Sequence, residues 1–119
     1  MAHILVIDDS MVDRQIIVNA LVAAGHTVSE AVDGEDGEAK ALNLKPNLII
    51  LDVIMPKKNG FEVCRAIKSN GPTSGIPVIM LTSKTQDSDK FWGMKQGASE
   101  YMTKPFSEES LQNVVKKYL

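Results

Sequence analysis

Three short apolar runs and one weaker run end in polar residues that belong to one kind of chemistry. Ile4-Leu5-Val6-Ile7 leads to Asp8 and Asp9, Leu48-Ile49-Ile50-Leu51 to Asp52, Val78-Ile79-Met80-Leu81 to Thr82 and Ser83, and Glu100-Tyr101-Met102-Thr103 to Lys104 and Pro105. Asp52 carries most of the signal, because Val53-Ile54-Met55 follows it directly. A carboxylate set between apolar runs loses hydration worth several kcal/mol unless something compensates its charge. Magnesium can compensate it, being a hard, octahedral cation that takes one or two carboxylates, keeps several waters and completes its shell with phosphate oxygens. Asp9 and Asp52 are the candidate direct ligands, the backbone carbonyl of Ile54 a third, and Asp8 the holder of a coordinated water. Carboxylates crowded together repel one another, which raises at least one pKa and weakens metal binding as pH falls.

A carboxylate so placed is also a nucleophile, forming an aspartyl phosphate when the phosphoryl oxygens are neutralised and attack is in line. Asp52 is the candidate acceptor; Lys104 offers an ammonium to one phosphoryl oxygen and Thr82 a hydroxyl to another. Each residue alone has a plainer reading. Asp8-Asp9-Ser10 can cap a helix and fill its first turn, and Lys104 can be a solvated surface lysine. Only the combination points to chemistry.

Bringing these groups together needs strands that end on one rim. The three strongest runs are rich in Ile, Val and Leu without polar alternation, as strands buried on both faces are. Thr27–Ala31 and Glu100–Thr103 read as weaker or edge strands. Stretches with apolar residues three and four apart lie between, such as Ile16, Ile17, Ala20, Leu21 and Ala24, and read as helices. Asn59 with Glu62 makes a capping box, and Ser107 with Glu108 and Glu109 opens another helix. Gly25, Gly71 and Gly97 mark helix ends through their tolerance of a left-handed backbone. Five βα units follow, and strict alternation predicts a doubly wound α/β fold: a parallel sheet with helices on both faces. Ligands bind such sheets beyond the carboxyl ends of the strands, where strand order reverses.

The bulk properties bound the answer. A chain of 119 residues, 44% hydrophobic and 24% charged, predicts a single domain spanning 1–119. The net charge of −2 gives no general attraction to nucleic acid. One cysteine cannot form an internal disulfide, and Met-Ala-His-Ile-Leu lacks the regions of a signal peptide, so a cytoplasmic protein is expected. Purely apolar runs of four or five residues fall far short of the roughly 20 that cross a bilayer, so no membrane insertion is expected.

Taken in order, these motifs resemble the receiver domains of two-component response regulators, the CheY-like family. The resemblance covers the whole chain, through Ile4–Ser10, Leu51–Pro56 with Asn59-Gly60, Leu81-Thr82-Ser83, and Gly97–Tyr101 leading to Lys104-Pro105-Phe106. It implies a flavodoxin-like fold with strand order 2-1-3-4-5, Asp52 as phosphoacceptor, and Asp8 and Asp9 as metal-binding acids. It further implies Lys104 as the phosphate-contacting lysine, Thr82 and Tyr101 as coupled switch residues, and a cis Lys104-Pro105 peptide. The resemblance implies Mg2+ as cofactor and a histidine kinase as phosphodonor. The chain then catalyses only its own phosphorylation and dephosphorylation, and a monomer is expected. No output domain is expected within 1–119, so the signal passes through the fourth helix, fifth strand and fifth helix to a separate effector protein. Lys90–Ala98 is similar to the fourth helix of regulators of type IV pilus twitching motility, which points to motility machinery or chemotaxis.

An aspartate-nucleophile phosphatase would carry a second Asp two residues after the nucleophile, where Ile54 stands. A flavin-binding protein would need a phosphate-cradling loop where Asp8 and Asp9 stand. Both are disfavoured. Ile54 cannot orient a water by hydrogen bonding, so it bears on the lifetime of the phosphoryl group. Phe91 and Trp92 are expected to pack into the core and fill edges around the fourth helix rather than to form an interaction surface. Cys64 is read as a small buried hydrophobe, and His3 and His26 as loop residues.

Overall fold

The computed structural model describes residues 2–119. The elements run β1 (His3–Ile7), α1 (Met11–Ala23), β2 (Thr27–Ala31), α2 (Gly34–Leu44), β3 (Leu48–Leu51), α3 (Gly60–Ser69), β4 (Val78–Thr82), α4 (Asp87–Lys95), β5 (Glu100–Thr103) and α5 (Glu108–Lys117). All strand pairs are parallel, in the order β2-β1-β3-β4-β5. This is the expected flavodoxin-like topology.

The uniformly apolar strands work because successive side chains enter opposite cores. Leu5, Ile7, Ile49, Leu51 and Met80 pack with Ala41, Val63, Cys64 and Ile67 of α2 and α3. Ile4, Val6, Ile50, Ile79 and Leu81 pack with Ile17, Ala20 and Leu21 of α1 and with Leu111 and Val115 of α5. Each fully buried Leu or Ile contributes about 1.5–3 kcal/mol relative to exposure, so the three central strands form a rigid base for the rim above them.

Local signals at the helix ends hold in part. The Asn59/Glu62 capping box is present, with Glu62 N–H donating to Asn59 Oδ1 at 3.0 Å and Asn59 N–H to Glu62 Oε1 at 3.2 Å. Gly25 (φ +91) and Gly97 (φ +106) take the left-handed backbone. Gly71 does not: α3 stops at Ser69 with Asn70 extended. The chain there is held by buried Thr73, whose hydroxyl donates to the Ile67 carbonyl at 2.7 Å. Cys64 is buried as expected, and burial pushes its thiol up to about 11. His26 lies in the loop before β2, but His3 is the first residue of β1, paired with Thr27.

The expectation that Phe91 and Trp92 fill the core is wrong. They are 66% and 47% exposed, and only Gly93 of α4 is buried. The glycine decides the packing: a Cβ there would lie 2.8 Å from Met80 Sδ and 2.9 Å from the Tyr101 ring. The helix therefore rests on its glycine and turns its large side chains outward.

Gly60 fixes the loop beneath Asp52. A Cβ at this position would collide with the Asp52 carbonyl oxygen and stand 2.7 Å from Val53 Cα, both backbone atoms that cannot rotate away. Gly60→Ala is expected to lower stability by about 3 kcal/mol, seen as a reduced urea midpoint with unchanged slope. A midpoint within error of wild type would show that this backbone contact relaxes freely.

Candidate functional site

Strand register delivers the polar residues to one rim. Asp52 N–H donates to the Ile7 carbonyl at 3.0 Å, Asp8 N–H to Ala31 at 3.2 Å, and Lys104 N–H to Thr82 at 2.9 Å. Each residue thus emerges one step beyond a paired strand position, held by the last backbone bond of the sheet. The rim lies at β1/β3, where strand order reverses.

Asp8, Asp9 and Asp52 each present a carboxylate oxygen, and these atoms lie within 4.8 Å of one another. Asp8 is 1% exposed and Asp52 7%, while Asp9 faces solvent. Lys104 reaches across from β5: its Nζ is 2.9 Å from Asp8 Oδ2 and 3.1 Å from Asp52 Oδ2. The Lys104–Pro105 peptide is cis, as expected. Burial raises the Asp8 carboxyl above its ordinary value of 3.8, and Asp52 adds to this; hydrogen bonds from Lys104 and the Ser10 amide oppose it. Burial works against the Lys104 ammonium, but its bonds to Asp13 and Asp8 and the charge of Asp52 outweigh that and hold its pKa well above normal.

A cleft of about 540 Å³ opens over this group, walled by Asp9, Ser10, Ile16, Asp52, Ile54 and Phe106. The Ile54 side chain is half exposed at its mouth, and the Ile54 amide donates to Asp52 Oδ1 at 3.2 Å. The arrangement sets the buried Asp52 carboxylate beside an ammonium that it shares with other carboxylates, under a cleft open to a small anion.

Two groups were not anticipated from sequence. Asp13, in the first turn of α1, makes the shortest contact to Lys104, 2.7 Å from Oδ2 to Nζ. Its spacing from Ser10 fits a local helix cap, and that reading hides its long-range contact. The second is the Lys84 backbone: its N–H donates to Thr82 Oγ1 at 3.4 Å, and its carbonyl accepts from the Tyr101 hydroxyl at 2.8 Å. Thr82 and Tyr101 are brought together through this one residue. Tyr101 already lies inside, 9% exposed, in the space that Gly93 leaves open.

The donor set suits magnesium: all the ligand atoms are oxygens, and the carboxylates of Asp8, Asp9, Asp13 and Asp52 outnumber the one ammonium, leaving an excess of negative charge.

Comparison with known proteins agrees with this geometry. Residues 4–116 match the response regulator receiver domain family. The chain is 42% identical to protein PilH of Pseudomonas aeruginosa, over 100% of this chain and 98% of that protein. Its fold matches the chemotaxis protein CheY4 of Vibrio cholerae with a TM-score of 0.94 and 36% identity, covering 100% and 99% of the two chains. It also matches the receiver domain of the sensor histidine kinase PA1611 of P. aeruginosa, with a TM-score of 0.91, 25% identity and 98% and 96% coverage. That structure holds a magnesium ion in its active-site cleft. With the strand order, the acidic rim and the lysine all accounted for, this chain belongs to the receiver domains of two-component response regulators.

Proposed function

We propose that Asp52 accepts a phosphoryl group from a histidine kinase and that the chain, acting as one receiver domain over 1–119, passes the signal to a separate partner in chemotaxis or twitching motility. The observation that carries this reading is the placement of a buried Asp52 carboxylate 3.1 Å from Lys104 under an open cleft. In the transfer, an Asp52 oxygen attacks phosphorus, the bond from phosphorus to the donor imidazole breaks, and the imidazole leaves. Lys104 and the Thr82 hydroxyl donate to phosphoryl oxygens. Asp9, Asp52 and the Ile54 carbonyl would hold magnesium directly and Asp8 through water; when bound, the ion neutralises phosphoryl oxygens. The chain turns over no other substrate, and works as a cytoplasmic monomer without nucleic acid. No helix among the described residues is long and apolar enough to cross a membrane.

A neutral hydrogen bond contributes about 0.5–1.5 kcal/mol and a charged one about 1.5–3, while a swing from 1:99 to 99:1 needs about 5.5. Contacts from Thr82 and Lys104 alone fall short of that. The buried Tyr101 supports a protein already biased toward its active arrangement, with partner binding at α4, β5 and α5 supplying the rest.

The test is incubation with a small phosphodonor and magnesium, read by intact mass; one added phosphoryl group is expected, and no gain overturns the reading. Calorimetry checks the cation: Asp9→Ala should weaken magnesium binding more than about tenfold, and unchanged affinity would remove Asp9 from the ligands.

Ile54 sets the lifetime. Its side chain stands at the cleft mouth and offers no hydrogen bond to an attacking water. Ile54→Asn and Ile54→Glu keep the backbone carbonyl and add a polar group, so the phosphoryl half-life is expected to shorten about tenfold, equivalent to about 1.4 kcal/mol in the barrier. Unchanged decay in both variants, at fixed magnesium and pH, would place control of water access elsewhere, with Lys84 next.

A further inference from the structure

A lysine ammonium has three N–H donors, and in Lys104 all three are committed: to Asp13 Oδ2 at 2.7 Å, Asp8 Oδ2 at 2.9 Å and Asp52 Oδ2 at 3.1 Å. A phosphoryl oxygen entering the cleft finds no free donor on it. One carboxylate must let go, and the three differ in what that costs. The Asp8 and Asp52 side chains are 1% and 8% exposed, so an abandoned oxygen would stay dry. The Asp13 side chain is 41% exposed and water can replace its lysine contact.

The local role that Asp13 resembles does not hold it. Its backbone N–H is capped by Ser10 Oγ at 3.2 Å. In a reciprocal capping box its carboxylate would accept the Ser10 N–H in return. That N–H goes instead to Asp8 Oδ1 at 2.9 Å, and the Asp13 carboxylate turns to Lys104 at the wall of the cleft. We infer that Asp13 is a positioning residue that competes with the phosphodonor for the ammonium of Lys104 and so restrains phosphorylation of Asp52. The inference rests on Asp52 being the acceptor.

Asp13→Asn keeps the size of the side chain and one acceptor oxygen but removes the charge. The second-order rate constant for phosphorylation by phosphoramidate, read by intact mass at fixed magnesium, is expected to rise about three- to fivefold. In a Lys104→Gln background the same substitution should change the rate by less than about twofold, since the competition has lost its object. With 15N-labelled protein, the Lys104 ammonium protons should exchange with water faster in Asp13→Asn, before any donor or metal is added. Loss of a mere first-turn acid would move the thermal midpoint and leave all three readouts alone. An unchanged or slower rate in Asp13→Asn overturns the inference. So does an equal gain in the Lys104→Gln background, which would mark plain charge repulsion of the donor. A wild type that gains no phosphate removes the acceptor assignment and this inference with it, whereas a wild type that gains it beside an unaccelerated Asp13→Asn removes only the role of Asp13.

Discussion

Asp52→Asn is expected to abolish phosphate gain completely, leaving a single unmodified mass after incubation with a small phosphodonor and magnesium. The amide lacks the anionic oxygen that attacks phosphorus. The neighbouring carboxylates do not replace it. Asp8 is 1% exposed, with its oxygens bonded to Lys104 and the Ser10 amide. Asp9 faces solvent, and Asp13 lies at the outer wall of the cleft. Of the two buried carboxylates beside the ammonium, Asp52 is the one that lines the cleft, with its backbone fixed by the Ile7 carbonyl. The substitution is nearly isosteric, so a folded protein is expected and circular dichroism should match wild type. Retention of one phosphoryl group by this variant would move the acceptor to another residue.

Lys104→Met is expected to have two separable effects. In the reaction, removing a cation aimed at developing phosphoryl charge should slow phosphorylation by about 10²-fold or more. In the fold, it leaves the buried Asp8 and Asp52 carboxylates facing each other without a counter-charge. Breaking a buried pair costs about 3–5 kcal/mol, and the 41% exposed Asp13 side chain moderates this toward about 2–3 at pH 7 without metal. The pH dependence has a definite sign. Burial already raises the Asp8 pKa above 3.8, and loss of the Lys104 hydrogen bond, which lowers it, raises it further. An acid with a raised folded pKa binds protons more tightly when folded. Its stability contribution is therefore largest below its unfolded pKa and is lost as pH rises through the folded value. The deficit of Lys104→Met should thus be small near pH 4 and widen toward neutrality, as read by urea midpoints at both pH values. A constant deficit would show that packing of the lysine stem, rather than its charge, is what the fold uses.

What could be read from the chain follows the range of the interactions involved. The five strands were legible because burial on both faces imposes a composition, and β2, β3 and β5 fall on the expected residues. The Asn59/Glu62 capping box was legible because both partners lie within one helical turn. Asp8 with Asp9, Asp52 and Thr82 could be picked out as candidates because they follow apolar runs, and Lys104 because it follows the weaker fifth run, since parallel strands in one sheet must end on the same side.

Tertiary structure decided the rest. Asp13 is 91 residues from the lysine it binds, and its local spacing argues for a cap instead. Phe91 and Trp92 have core-like side chains, yet Gly93 takes the buried position because Met80 and Tyr101 leave room for no Cβ. The same vacancy admits the Tyr101 ring, whose hydroxyl then finds the Lys84 carbonyl and so meets Thr82 through the backbone of one residue. The sequence by itself determined the doubly wound α/β class, the acidic rim and its lysine from hydrophobic pattern and strand direction, while the strand order came only through the family resemblance. Only the folded chain determined which carboxylates share that lysine and where the Tyr101 ring rests, because competition for one ammonium or one gap is settled by ångström-scale packing between distant segments.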